Sequence, residues 1–257
     1  MKRHAYFPSE ISQLERDILQ YRKDHDFFVS TTVRRIVGHM LQANALKHSV
    51  EMEVDSHQGN GHKRKAVKEA LRRTQQAWEY LKETINSEGG FREANLIRAA
   101  RTIVPNQRFD PYTQYRPESV TIRDATYAPP PPNYDPSLSD EPWNIPVPIQ
   151  MQTMIDENTT LESDFERAIY THFHIARIHP FPDGNGRLAR LTQNAYLHHG
   201  MLFPVMIPAG DKDMYASILN DGVKLFYDRD SRYLTSFSQY IAGKMKESFF
   251  KMRHPIH

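Results

Sequence analysis

The 257-residue sequence contains no cysteine, which excludes disulfides and all thiolate chemistry, whether nucleophilic or metal-binding. It also has little net charge, because 33 lysines and arginines are balanced by 31 acidic residues to give +2. Composition therefore provides no reason to expect a nucleic-acid partner or a membrane surface. No stretch approaches the run of apolar residues that a bilayer-spanning helix needs.

The first eight residues carry positive charge, but no apolar run follows them, so they do not have the pattern of a signal peptide. We therefore expect a cytoplasmic protein. Hydrophobic residues make up 39% of the chain and charged residues 25%, which is typical of soluble globular proteins. The length is sufficient to bury a sizeable core.

The most informative stretch is residues 179–190, His-Pro-Phe-Pro-Asp-Gly-Asn-Gly-Arg-Leu-Ala-Arg. Gly184 and Gly186 allow the chain to turn sharply with its N–H groups pointing inward. Residues 187–199 have the apolar spacing of a helix, which Gly200 would end. The turn therefore opens a helix N-terminus, where unpaired N–H groups and the helix dipole favour an anion.

The side chains of this stretch suit a phosphorylated ligand. Arg187 and Arg190 are three positions apart, so on a helix they are neighbours that can grip two phosphates. Asp183 is a hard oxygen ligand that could hold Mg²⁺ against the same phosphates. His179, just upstream of the turn, is a candidate general base.

A helix is expected before this stretch, because Thr159 and Glu162 have the spacing of a capping box and apolar residues follow at helical intervals. His172 and His174 lie on that helix and suggest an alternative, a metal site shared with Asp183. Residues two positions apart on a helix face apart, however, so the two imidazoles would not converge on one ion. We favour two structural histidines.

Residues 179–190 resemble the signature of the Fic family, His-Pro-Phe-x-(Asp/Glu)-Gly-Asn-Gly-Arg-x-x-Arg, at every specified position. The resemblance implies a mainly α fold, a Fic-type helical domain with a small β-hairpin flap. It also implies transfer of AMP from Mg²⁺-bound ATP, the co-substrate, to a Ser, Thr or Tyr hydroxyl of a target protein or of the chain itself. The implied site comprises His179 as catalytic base, Asp183 as metal ligand, and, for ATP, Gly184, Asn185, Gly186, Arg187, Arg190 and Tyr215, the last against adenine.

The segment Val120-Thr121-Ile122 alternates apolar and polar residues, which indicates a short strand or hairpin. It resembles the flap that covers the active-site mouth in the family, and an exposed strand edge there could dock a target peptide. A surface hairpin without function is the alternative. The proline-dense residues 128–148 that follow are expected to form an extended spacer within one domain.

Many Fic proteins carry an inhibitory helix with the pattern (Ser/Thr)-x-x-x-Glu-(Gly/Asn), whose Glu pairs with the last arginine of the signature. Ser49 and Glu53 fit this pattern, whereas Val54 departs from it. The resemblance therefore makes Glu53 a candidate inhibitor that acts on Arg190.

Three segments are expected: an N-terminal helical extension (1–45), the Fic domain with its flap and signature loop (46–220), and a C-terminal helix packed on the same domain (221–257). Expected partners are ATP and an unidentified target protein, with a homodimer also compatible, and neither nucleic acid nor membrane. Two alternatives stay open. One is transfer of another phosphate-containing group, such as UMP, phosphate or phosphocholine, and the other is a catalytically idle nucleotide-binding regulatory module.

Overall fold

A computed structural model of the chain describes residues 7–25, 43–50, 60–123, 125–138 and 144–253. Within these ranges the chain is mainly helical, as predicted, and contains no β-strand. The helices are α1 (Ser9–His25), α2 (residues 43–50), α3 (Asn60–Glu88), α4 (Glu93–Ile103), α5 (Val147–Asn158), α6 (Asp164–Ile178), α7 (Asn185–His199), α8 (Lys212–Tyr227) and α9 (Thr235–Arg253).

The pair α6 and α7 forms the centre of the fold, and the signature stretch supplies the loop between them. Every residue of 168–178 and of 187–197 is buried, so these two helices are enclosed on all sides. Both carry polar side chains within these runs. A buried polar group is costly unless it is hydrogen-bonded, so the polar residues of α6 and α7 need partners inside the protein.

The other helices enclose this pair. α3 packs against α4 and α7, α5 packs against α6, and α8 and α9 also contact α6. α1 packs against α9, which joins the beginning and the end of the described chain. One continuous apolar core runs through these contacts and includes residues from distant parts of the chain, among them Ile11, Trp78, Phe173, Leu191 and Phe237.

The start of α6 differs from the sequence prediction. The capping box is formed by Ser163 and Glu166: the N–H of Glu166 donates to Oγ of Ser163 over 3.2 Å, and the carboxylate of Glu166 accepts from the N–H of Ser163 over 3.4 Å. Thr159, the predicted cap, instead ends α5, and its hydroxyl donates to the carbonyl of Asp156. Thr159 with Glu162 and Ser163 with Glu166 both have a capping-box sequence, but only Ser163 stands directly before the buried helix.

The hairpin flap is not confirmed, since residues 117–123 are irregular and form no strand. The expected spacer is shorter than predicted, because α5 begins at Val147 inside the proline-dense stretch. Pro146 is the residue before this helix and Pro148 lies in its first turn, where a missing N–H costs nothing. None of the helices in the described ranges is long and apolar enough to cross a membrane.

Candidate active site

His179 ends helix α6 in the left-handed conformation, at φ 52° and ψ 55°. Its N–H donates to the carbonyl of Ile175 over 3.0 Å, which satisfies one of the last carbonyls of the helix. Nδ1 lies 3.4 Å from the carbonyl oxygen of Ala176. A carbonyl can only accept, so this contact favours the tautomer with the proton on Nδ1 and the lone pair on Nε2. That is the form a general base requires.

Arg116 holds the loop from the side. Its guanidinium is buried, and Nε donates to the carbonyl of His179 over 2.9 Å, while Nη1 and Nη2 donate to the carbonyls of Glu118 and Pro130. The N–H of Arg116 also donates to the carbonyl of Pro180 over 2.9 Å. Burial lowers the pKa of Arg116 to about 10, so the group stays charged at neutral pH. Arg116 therefore ties the backbone at Glu118 and Pro130 to the backbone of the candidate base.

Asn185 closes the loop from within. Its side-chain amide accepts from the N–H of Phe181 over 2.9 Å and donates to the carbonyl of Phe181 over 2.8 Å. The Phe181 ring is fully buried against Phe109 and Tyr115, which anchors the loop in the core. The amide of Asn185 is thus used on the loop itself. Its contribution to an anion site is the backbone N–H at the start of α7.

Gly184 is the residue before α7 and has φ 77°. A Cβ at this position would lie 2.9 Å from Cγ2 of Ile103, so both the backbone angle and the lack of space require glycine. No described side chain caps α7, so its first backbone N–H groups, including that of Gly186, have no capping acceptor. This is the arrangement that favours an anion.

Arg187 lies beside this helix N-terminus, and only 7% of it is exposed. Its Nη2 lies 3.5 Å from Oδ2 of Asp183, while Oδ1 of Asp183 accepts from the N–H of Gly184 over 2.6 Å. The Nε of Arg187 is buried and has no hydrogen-bond partner among the described residues. A buried donor without a partner suits a ligand that accepts hydrogen bonds at this point.

Arg190, one turn further along α7, contacts helix α2. Its Nε donates to the hydroxyl of Ser49 over 2.8 Å, and its Nη2 donates to the carbonyl of Ser49 over 3.0 Å. Ser49 and Arg190 are both buried. The structure thus brings together two residues that the sequence pattern linked, whereas Glu53, the third, lies outside the described residues.

A polar network lies beneath the site. Nδ1 of His172 donates to Oε1 of Gln193 over 2.5 Å, and its Nε2 accepts from the hydroxyl of Tyr215 over 2.8 Å. Burial lowers the pKa of His172 to about 3, and the positive charge of Arg190 acts in the same direction, so the ring is neutral. The hydroxyl of Tyr215, the predicted adenine contact, is used in this network, and its ring is buried against Phe237.

The histidines of α6 are structural within the described part of the chain. His174 bonds the hydroxyl of Tyr233 and Nη2 of Arg177, each over 3.2 Å. No cluster of three or more potential ligands that could hold a metal ion occurs among the described residues. Val120, Thr121 and Ile122 lie on the irregular segment after Arg116, with Thr121 exposed and the other two half-buried.

The comparisons with known proteins agree with this site. Residues 90–197 match the model of the Fic/DOC family. Protein adenylyltransferase fic-1 of Caenorhabditis briggsae is 39% identical over 64 residues, which are 24% of this chain and 13% of that protein. Protein adenylyltransferase Fic of Nematostella vectensis is 37% identical over 67 residues, 26% of this chain and 16% of that protein. The matched stretches thus span a small part of these curated relatives.

Similarity of fold extends over nearly the whole chain. A Fic domain-containing signalling protein from Bacteroides thetaiotaomicron superposes with a TM-score of 0.70 at 17% identity and covers 94% of this chain and 97% of its own. A fragment of Fic-1 from Caenorhabditis elegans gives a TM-score of 0.65 at 18% identity and covers 96% of this chain and 73% of its own. At these identities the superpositions show the fold alone. The match to the Fic/DOC family is carried by residues 90–197, which contain the predicted signature, residues 179–190, near their C-terminal end.

Proposed function

We propose that this chain is a protein adenylyltransferase that moves AMP from Mg²⁺-bound ATP to a Ser, Thr or Tyr hydroxyl of a target protein or of itself. The observation that carries the proposal is the short loop in which His179 ends α6 and Gly184 immediately precedes α7. This loop holds a candidate base beside an uncapped helix N-terminus and a buried arginine. The names of the related adenylyltransferases support AMP as the transferred group.

In the proposed reaction, Nε2 of His179 takes the proton of the target hydroxyl as the hydroxyl oxygen attacks the α-phosphorus. A new O–P bond forms, the bond from the α-phosphorus to the bridging oxygen breaks, and pyrophosphate leaves. The first N–H groups of α7 and the guanidinium of Arg187 stabilise the negative charge on the phosphate oxygens. Positioning by the rigid loop supplies the remaining acceleration.

Asp183 fits the role of a Mg²⁺ ligand. Its side chain is 51% exposed, at the N-terminus of α7 where the phosphates would lie. Protein sites for Mg²⁺ commonly use one or two carboxylates together with substrate phosphates and water, so a single accessible carboxylate is sufficient. When bound, the metal supplies further positive charge to the phosphates.

We propose in addition that the segment containing Ser49 and Glu53 restrains the enzyme by holding Arg190. Ser49 already accepts two hydrogen bonds from the guanidinium of Arg190. An arginine used in this way is not available to the outer phosphates of ATP. The same contact is the observation in favour of the competing proposal, an idle nucleotide-binding module, so the two are separated by releasing Arg190 and measuring transfer.

The transferred group is identified with labelled nucleotides. The purified chain is incubated with a cell lysate and with ATP labelled on the α- or the γ-phosphate, or with UTP labelled on the α-phosphate. Adenylyl transfer predicts protein label from α-labelled ATP alone. Label from the γ-position would indicate phosphate transfer, and label from UTP would indicate uridylyl transfer. A chain without label in any arm, even after release of Arg190, would transfer neither adenylyl, uridylyl nor phosphate groups, as expected of a binding module.

We predict that His179→Ala reduces the transfer rate by at least about a hundredfold, because a general base contributes 10²–10⁴-fold in comparable reactions. ATP affinity should change little, since the imidazole acts on the incoming hydroxyl and not on the phosphates. Transfer is measured with α-labelled ATP and affinity by calorimetry.

The matched control for this prediction is His199→Gln, at the far end of α7, where the imidazole bonds Asp164. This variant should transfer at the wild-type rate. Wild-type transfer by His179→Ala would remove His179 from its role, and an equal loss of ATP affinity would make it a binding residue.

A further inference from the structure

A cavity of about 220 Å³ lies between α5 and α6 and is closed at one side by the end of α8. None of the signature residues lines it. Its wall includes apolar and aromatic side chains, Ile145, Ile149, Met154, Phe226 and Tyr227. Ile145 and Ile149 are 46% and 56% exposed, which places them at its rim. The volume exceeds the roughly 150 Å³ of an engineered apolar cavity that binds benzene, so it is enough for a small organic molecule.

The cavity is lined by a buried charge that forms no ion pair in the described structure. Arg177 is only 2% exposed, and its guanidinium forms no ion pair among the described residues. Its contacts are neutral: Nη1 donates to Oε1 of Gln150 over 2.7 Å, and Nη2 donates to Nδ1 of His174 over 3.2 Å. The guanidinium also lies 4.1 Å from the centre of the Phe226 ring.

These contacts use only two of the five N–H groups of Arg177, and its buried Nε has no hydrogen-bond partner in the described structure. Taking a charge out of water costs several kcal/mol unless an opposite charge compensates it, and buried charges in proteins are therefore usually paired. The planar fork of a guanidinium matches a carboxylate in two parallel hydrogen bonds.

We infer that this cavity is a binding site for a small organic carboxylate, whose carboxylate group pairs with Arg177 and whose apolar part contacts Met154 and Phe226. The site is separate from the signature loop, and the inference does not depend on the transferred group. Because Arg177 is two residues before His179 on the same helix, an occupant would lie close to the C-terminal end of α6.

The other end of the cavity explains the choice of a monoanion. Glu157 lines it there, and its carboxylate accepts a hydrogen bond from Tyr170. Gln150 and Glu157 are two helical turns apart on α5, about 10 Å. The cavity thus has one cationic and one anionic end with apolar surface between them. A multiply charged hydrophilic anion such as inorganic phosphate would be repelled by Glu157. It also has no apolar part that could contact the apolar wall.

The test uses sodium hexanoate as the probe, with calorimetry or NMR titration of the full chain at constant ionic strength. A ligand of this size should bind with a Kd in the millimolar range or tighter. Hexanamide, which has the same shape without the charge, and inorganic phosphate should each bind at least tenfold more weakly. Arg177→Gln should weaken hexanoate binding at least tenfold.

A pair of variants at the exposed rim keeps the test valid if Arg177→Gln does not fold. Ile149→Glu should weaken hexanoate binding several-fold by repulsion, whereas Ile149→Lys should leave it unchanged or tighten it. No saturable binding of hexanoate by the wild type would overturn the inference. So would equal binding of hexanamide or phosphate, wild-type affinity in a folded Arg177→Gln protein, or equal affinities of the two rim variants.

Discussion

Asn185 and Arg116 use their side chains on the backbone of the signature loop, at Phe181 and at His179. Arg187 instead has a buried Nε without a partner in the described structure, beside the uncapped start of α7. The side chains around this loop therefore fall into two groups: some hydrogen-bond the backbone of the loop, and others have donors available for a ligand. The distinction depends on which donors the protein itself leaves unused.

At this scale we predict that Gly184→Ala destabilises the protein by about 1–3 kcal/mol and lowers transfer. The residue has φ 77°, which an alanine adopts only with strain, and the added Cβ would lie 2.9 Å from Ile103. The free energy of unfolding is measured by urea denaturation.

The matched control is Gly210→Ala. Nothing lies within 4 Å of a Cβ at Gly210, so we expect a change within about 0.5 kcal/mol. If both variants were equally stable, neither the backbone angle nor the contact with Ile103 would constrain Gly184.

Among the elements, α2 bears on the proposed restraint of Arg190. Ser49 on this helix contacts Arg190 on α7, which places α2 directly on the signature helix. A change that releases α2 from α7 would remove these two hydrogen bonds from Arg190.

We predict that Glu53→Gly raises auto-modification by roughly a hundredfold or more, since a charge-assisted pair worth a few kcal/mol would no longer hold Arg190. Ser49→Ala should raise it less, because the carbonyl of Ser49 still accepts from Arg190. Auto-modification by the double variant Glu53→Gly with Arg190→Ala should stay low, because Arg190 is needed both for the restraint and for binding ATP in the released enzyme. Label from α-labelled ATP is the measurement.

Asn44→Ala is the control for this prediction, because Asn44 is exposed on the same helix and alanine does not weaken a helix or touch Arg190. It should leave auto-modification near the wild-type level. Equal activity of the wild type and Glu53→Gly would mean that this segment does not restrain the enzyme.

For the whole molecule, the enclosure of α6 and α7 affects stability against acid. The neutral, fully buried His172 has a pKa lowered to about 3, whereas in the unfolded chain it titrates near 6.5. The unfolded state therefore binds a proton that the folded state does not bind as the pH falls below 6.5. The stabilisation is complete above that pH and is lost progressively as the pH falls toward 3.

We predict that the contribution of His172 to the free energy of unfolding falls by about 2 kcal/mol between pH 7 and pH 5. His172→Gln removes the titrating group, so this variant should lose correspondingly less stability over the same interval, whatever its stability at pH 7. Urea denaturation at several pH values gives the slope of the free energy of unfolding against pH for the wild type and for the variant. Parallel slopes for the wild type and the variant would contradict a neutral His172 in the folded protein.

Much of the site could be predicted because it is local in sequence. Residues 179–190 carry the candidate base, the turn glycine, the carboxylate and both arginines within one helix end, one loop and one helix start. Their relative placement therefore follows from short-range backbone geometry. Local sequence also misled, because it predicted the cap of α6 at Thr159. Two adjacent capping-box sequences are present, at Thr159 and at Ser163, and packing selects the one at Ser163.

The remaining contacts depend on the tertiary structure. Ser49 and Arg190 are 141 positions apart, and Arg116 and His179 are 63 apart. No pattern in the sequence pointed to the contacts of Arg116, Gln193 and Arg177. Whether a buried polar group finds a partner depends on which helices pack together, and that is set by burial of apolar surface over the whole chain. Sequence therefore determined which chemical groups stand at the signature loop, and packing decided which of them are held and which are left for a ligand.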